Sequence, residues 1–210
     1  EGVRFFFHSG TIDPVERYLH FETAYRNGDL DPAIEVLTAW ELRHVVDCDA
    51  TSADMIWGRV TLGNYRPDNI ARGYTWRYSN AVHTDVAYGH PMCGSLPGIC
   101  TGTYAQIPAT DGECGPRAFF GRFIRKSFGL PTWGVTQPGH AAMATWSPDH
   151  GWYTLLGGGW TESWWNSRSG PDFYLEAKSR EWRTAFQQVL RGTWTSAALG
   201  EQPASNSWSP

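Results

Sequence analysis

The chain has 210 residues, 41% of them hydrophobic, with 17 lysines and arginines against 21 aspartates and glutamates for a net charge of −4. A negative balance lacks the basic field that neutralising phosphates requires, which argues against nucleic acid as a main partner. No stretch approaches the ~18 consecutive apolar residues of a bilayer-spanning helix, so no transmembrane segment is expected and the length suits one sizeable domain.

In chain order, residues 11–45 read as two helices. Thr11 or Asp13 ahead of Pro14 is a start signal, and Val15, Tyr18, Leu19, Glu22 and Tyr25 follow at helical spacing. Asn27-Gly28-Asp29 breaks the first helix, and Asp31-Pro32 opens a second carrying Ile34, Leu37, Trp40, Leu42 and Val45. The pair is expected to form a hairpin that packs on a later helix. Ser52 to Leu62 reads as a further helix, and Gly73 to Tyr88 as another segment that ends at the Gly89-His90-Pro91 turn. Aromatic packing by Trp57, Tyr65, Tyr74, Trp76, Tyr78 and Tyr88 is expected to order this loop-rich region.

Cys93 and Cys100 flank a Gly-Ser-Leu-Pro-Gly-Ile loop that a small disulfide can close, leaving Cys48 as a buried structural thiol and Cys114 as a reactive one. A disulfide favours a secreted or extracytoplasmic setting. His83, His90, Cys93 and Cys100 match no usual zinc spacing, so neither a metal nor a cofactor is expected. The chain starts at Glu1 with no signal pattern, which reads as a processed protein, a cloned domain or a fragment.

The chemistry concentrates after Asp111. Cys114 stands just ahead of Pro116, which suits a first helical turn, and Ala118, Phe119, Phe120, Phe123, Ile124 and Phe128 recur at three- and four-residue spacing. Arg117, Arg122, Arg125 and Lys126 fall largely on other faces and are expected to be solvated, while Gly129 and Pro131 stop the helix. Thr132 to Thr136 and Ala141 to Trp146 read as strands, with His140 at the start of the second. A thiol at a helix N-terminus has its thiolate stabilised by orphan N–H groups and the positive dipole end, and a neighbouring histidine can take and return the proton.

Gly112-Glu113-Cys114, Ala118, Gly129-Leu130-Pro131, His140-Ala141 and Gly151-Trp152 together resemble the motif of the transglutaminase-like group of papain-type cysteine enzymes, over about residues 111–165. The resemblance implies an α+β fold in which N-terminal helices and a cysteine-bearing helix pack on an antiparallel sheet. It also implies Cys114 as nucleophile, His140 as general base and acid, and a third residue, usually Asp, orienting the histidine. The expected substrate is a peptide or related amide, turned over by acyl transfer or hydrolysis without a cofactor.

The chain departs from that pattern at the third residue, where Leu156 and Gly157 stand in place of an acid. Glu162 is the first replacement, followed by Asp149, Asn166 and Asp172, and an amide can also fill the role. Gln106, a few residues before Cys114, is the candidate side-chain donor for the oxyanion. The chain carries 12 tryptophans, several of them clustered at Trp146, Trp152, Trp160, Trp164 and Trp165. Core filling is the favoured reading of the cluster, with Trp133, Trp152 and Trp160 as candidate substrate walls. The Gly157 to Gly159 run permits a close backbone approach or a bulge.

Ser169-Gly170-Pro171-Asp172 reads as a turn, and Leu175 to Leu190 as one amphipathic helix with Trp182, Phe186, Val189 and Leu190 inward, ended by Arg191-Gly192. The expected division is a single domain over 1–191 and a tail over 192–210 packed on the domain or on a partner chain. Two alternatives to an enzyme stand. One is a catalytically decayed module that serves as a binding or assembly subunit, and the other is a sugar-binding domain with tryptophans in a solvent-facing row.

Overall fold

The computed structural model describes residues 12–62, 114–154, 159–164 and 167–200. The expectations for Gly73 to Tyr88, the aromatic anchors from Tyr65 to Tyr88, the Cys93–Cys100 bridge, the His83/His90 set, Gln106, Leu156 and Asn166 lie outside the described residues. Among the described residues, the elements run α1 (Pro14–Arg26), a 3-10 turn (Pro32–Val36), α2 (Ala39–Val46), α3 (Ser52–Leu62), α4 (Cys114–Ser127), β1 (Thr132–Gln137), β2 (His140–Ser147), β3 (Gly151–Thr154), β4 (Glu162–Ser163), α5 (Gly170–Glu181) and α6 (Thr184–Leu199). The architecture is therefore α+β, with helices packed on an antiparallel four-stranded sheet ordered β3-β2-β1-β4.

Local chemistry sets the N-terminal helices. The Asp13 carboxylate accepts the Val15 N–H at 2.7 Å with Pro14 at the first helical position. The second expected helix is two elements, because Thr38 is extended (φ −79°, ψ 168°) and caps α2, its N–H donated to the Glu41 carboxylate at 2.9 Å. The Thr-x-x-Glu capping box starts a new helix where apolar spacing alone had continued the old one.

The sheet is covered on both faces. Met143 joins a core built by Phe21, Val45, Met55 and the α4 side chains Ala118, Phe119, Phe120, Phe123, Ile124 and Phe128. Its neighbours Ala142 and Ala144 point the other way, into a second core with Trp40, Val135, Trp160, Phe173 and Ala177, as the two-residue period of a strand requires. Helix α2 serves both cores, with Val45 in the first and Trp40 in the second.

From Ala118 to Ser127 helix α4 is buried all round, which corrects the expectation of a solvated face at Arg122, Arg125 and Lys126. Arg122, Arg125 and Lys126 are 2%, 2% and 1% exposed. Arg122 pairs with Asp49, Lys126 with Asp47, and Arg125 donates to the Trp146 carbonyl at 3.0 Å. The two aspartates lie just after α2, so the polar stripe of α4 docks on the chain leaving that helix instead of on water. A buried ion is tolerated only with a partner close by.

The C-terminal helix also differs from expectation. It breaks at Trp182–Arg183, and α6 continues through Gly192 to Leu199, so the limit drawn at Arg191 falls inside a helix. Trp182 and Val189 are 67% and 42% exposed and not inward, and α6 has no buried residue.

Truncating Asp47 to Ala strands the Lys126 ammonium in the core and should cost about 3 kcal/mol of unfolding free energy. Denaturant unfolding of Asp47→Ala and of the Asp47→Ala/Lys126→Met pair tests this, the double variant being the more stable of the two.

Candidate active site

The position of Cys114 beside the start of β2 follows from two lengths. Helix α4 has 14 residues and β1 has six, and at about 1.5 Å and 3.3 Å per residue both span roughly 20 Å. Between them Gly129 sits at φ 82°, with Gly129 N–H bonded to Lys126 O and Leu130 N–H to Arg125 O, both at 2.9 Å. This is the Schellman pattern, which only a residue tolerant of the left-handed region closes easily. Pro131 leads straight into β1, which returns along α4 to the level of its first residue. Pro138 and Gly139 (φ 67°) then turn the chain in two residues, placing Gln137 opposite His140.

The outcome is a contact across 27 residues of sequence: the Ala141 N–H donates to Cys114 Sγ at 3.4 Å. Both Cys114 and His140 are partly exposed. Only the His140 carbonyl carbon separates the donor nitrogen from the His140 Cα, so with standard bond lengths Sγ lies within about 6 Å of that Cα. No hydrogen bond joins Sγ to the imidazole; the alternation of β2 sets His140 in phase with Ala142 and Ala144, and Ala141 in phase with Met143. Cys114, the first described residue of α4, thus accepts a direct backbone N–H bond from the peptide that follows His140.

Of the residues proposed to orient His140, the three among the described residues are not gathered around it. Glu162 is exposed on β4 opposite Thr136, which is itself opposite Ala141, so its side chain is out of phase with His140 and two strands away. Asp149 lies in the β2–β3 turn at the far end of β2, and Asp172 is paired with Arg168. The side chain that the fold does bring alongside is Gln137. Cross-strand partners have Cβ atoms about 5 Å apart on one face, and the Gln137 amide is fixed by donating Nε2 to the Gly159 carbonyl at 3.0 Å. Sequence reasoning missed Gln137, although Gln-Pro-Gly-His is a two-residue hairpin signature that sets the first and fourth residues opposite one another.

The three tryptophans expected as substrate walls belong to the core. Trp160 is 4% exposed and donates Nε1 to Arg168 O at 3.3 Å. Trp133 lies opposite Ala144 and Trp152 opposite Trp146, four and six residues along β2 from His140, or about 13 and 20 Å at strand spacing. Both pack edge-on against His44, with ring centroids 4.8 and 5.2 Å away. Of the five clustered tryptophans, the four among the described residues are buried or half-buried, so they form no solvent-facing row.

Comparison of the chain with protein-family models, with curated proteins and with solved structures gives no match in any of the three.

His44, unnoticed in the sequence, sits at the centre of this second cluster between Trp40, Trp133, Trp152 and Phe173. Neither ring nitrogen has a hydrogen-bond partner, and the Nε1 groups of Trp133 and Trp152 are likewise buried and unpaired. Burial, reinforced by Lys126 and Arg43 and opposed by Asp47, lowers its pKa to about 4. The neutral ring is therefore the folded form. Its contribution to stability is complete above the unfolded value near 6.5 and is lost as pH falls toward 4. Between pH 7 and 5 the parent should lose about 2 kcal/mol more than His44→Phe, measured by denaturant unfolding at each pH. Parallel pH profiles for the two proteins would contradict this.

Proposed function

We infer that this chain is a cysteine-dependent acyltransferase or amide hydrolase of transglutaminase-like type, acting on a peptide or related amide through Cys114 and His140. The observation that supports it is the 3.4 Å hydrogen bond from the Ala141 N–H to Cys114 Sγ, which sets a helix-N-terminal thiol against the peptide that carries His140. In this reading Sγ attacks the amide carbonyl carbon, and the resulting oxyanion is stabilised by backbone N–H groups at the start of α4. The imidazole delivers a proton to the departing amine, leaving a thioester. Water or an incoming amine then attacks the thioester, His140 takes its proton, and the thiolate is released. The scheme requires the His140 ring to come within hydrogen-bond reach of Sγ when substrate binds.

Gln137 is the positioning residue in this scheme. It stands opposite His140 across the hairpin, on the same face, where cross-strand side chains meet.

A specific observation favours a second reading, in which the chain is an assembly subunit with a decayed site. Helix α6 buries no residue while Trp194 and Leu199 are 63% and 67% exposed. Reactivity of the thiol separates the two.

Under the enzymatic reading, iodoacetamide at near-neutral pH should label Cys114 far faster than Cys48, whose thiol burial pushes up and shields. Site-resolved mass spectrometry measures both, and equal rates for the two thiols would sink the proposal. Replacing Gln137 with Glu places a negative charge opposite His140 and should shift the pH–rate profile relative to the parent. Gln137→Ala should slow acylation about tenfold or more. Unshifted profiles would remove Gln137 from the mechanism without touching Cys114.

A further inference from the structure

A second cavity, of about 460 Å³, opens where the start of α2 meets the α5–α6 corner. Three guanidinium groups line it, those of Arg180, Arg183 and Arg191. Arg180 is held in place, with its guanidinium carbon 5.0 Å from the ring centroids of both Trp40 and Phe186 and its Nε bonded to Glu176 at 2.7 Å. Glu176 takes the Nε and Nη2 edge of Arg180 and is shared with Arg168, so one carboxylate stands against two guanidinium groups and the outer edge of Arg180 still faces the cavity side. Arg183 and Arg191 have no carboxylate partner among the described residues and are exposed.

Two helices also begin at this cavity. Thr38 and Ala39 are the N-cap and first residue of α2, and Arg183 and Thr184 those of α6, and all four line it. The positive ends of two macrodipoles therefore add to three fixed cations. Like charges gathered this closely repel one another unless an anion sits among them. Three planar forks offer more parallel N–H pairs than the two oxygens of one carboxylate can take up, whereas a phosphate group presents at least three oxygens.

The cavity is remote from Cys114. Trp40 on its wall contacts Trp152 with ring centroids 5.8 Å apart, and Trp152 pairs with Trp146, about 20 Å along β2 from His140.

We propose that the Arg180–Arg183–Arg191 cavity binds the phosphate group of a small phosphate monoester. Arg180 is the pre-ordered fork, and Arg183 and Arg191 close on the remaining oxygens. A cavity of this volume suits a compact ligand.

The test is thermal unfolding and calorimetric titration of the full chain with inorganic phosphate, against sodium chloride at matched ionic strength. Phosphate is expected to raise Tm progressively with concentration, in the manner of a ligand that binds only the folded state, while chloride leaves it nearly unchanged. The variant Arg183→Gly/Arg191→Gln should fold as well as the parent, because Gly relieves the positive φ of 39° at position 183. Its dissociation constant for phosphate should be at least about tenfold weaker. Equal Tm shifts in phosphate and chloride, or an undiminished affinity in the variant, would overturn the proposal.

Discussion

Helix α4 and strand β1 cover the same distance in opposite directions, and the tight turn between them decides where the later strands lie. With Gly129 in the left-handed region and Pro131 directly after it, no slack remains between the helix and the strand. The β1–β2 turn must then land level with Cys114. The sulfur contact with the Ala141 N–H is a consequence of that arithmetic. A one-residue insertion in β1 would move the turn by about 3.3 Å and put the opposite face of the strand toward the helix.

What keeps this geometry rigid is the burial of α4 on every side from Ala118 to Ser127. Its phenylalanines fill the first core, and its cations reach across to Asp47, Asp49 and the Trp146 carbonyl. A helix held in this way cannot roll to relieve strain at its N-terminus, so the thiol is presented in a fixed direction. Pairing offsets the desolvation of these charges, which is the condition under which buried ions persist. The second core does the corresponding work on the other face of the sheet, with His44 wedged among three indoles and Phe173.

Much of this was legible in the residues. Helix α3 starts at Ser52 as expected, α1 starts at Pro14 with Asp13 as its cap, and the apolar stripe of α4 is buried as its spacing implied. His140 begins β2 as expected. The misreadings have physical causes. Basic residues on the non-apolar faces of α4 looked solvated because their partners, Asp47 and Asp49, lie more than 70 residues upstream and only the fold brings them near. Trp133, Trp152 and Trp160 pack in or against the second core, because indoles on strands fill a core as readily as they line a cleft, and only the sheet register tells how far they stand from His140. Gln137 precedes His140, whereas the family pattern places its third residue downstream, yet the residue across a two-residue hairpin is the nearest side-chain neighbour a strand can offer.

The fold thus joins a thiol, an imidazole and an amide at one end of the sheet and gathers three arginines near the other. Whether the thiol end performs acyl transfer is the central question, and formation of an acyl-enzyme answers it most directly. The full chain incubated with p-nitrophenyl acetate and analysed by intact-protein and peptide mass spectrometry should carry one acetyl group on Cys114, formed faster than on the denatured chain and cleared on dilution into fresh buffer. An adduct that is absent from Cys114, or that forms no faster than in the denatured chain, would contradict the assignment of Cys114 as a nucleophile.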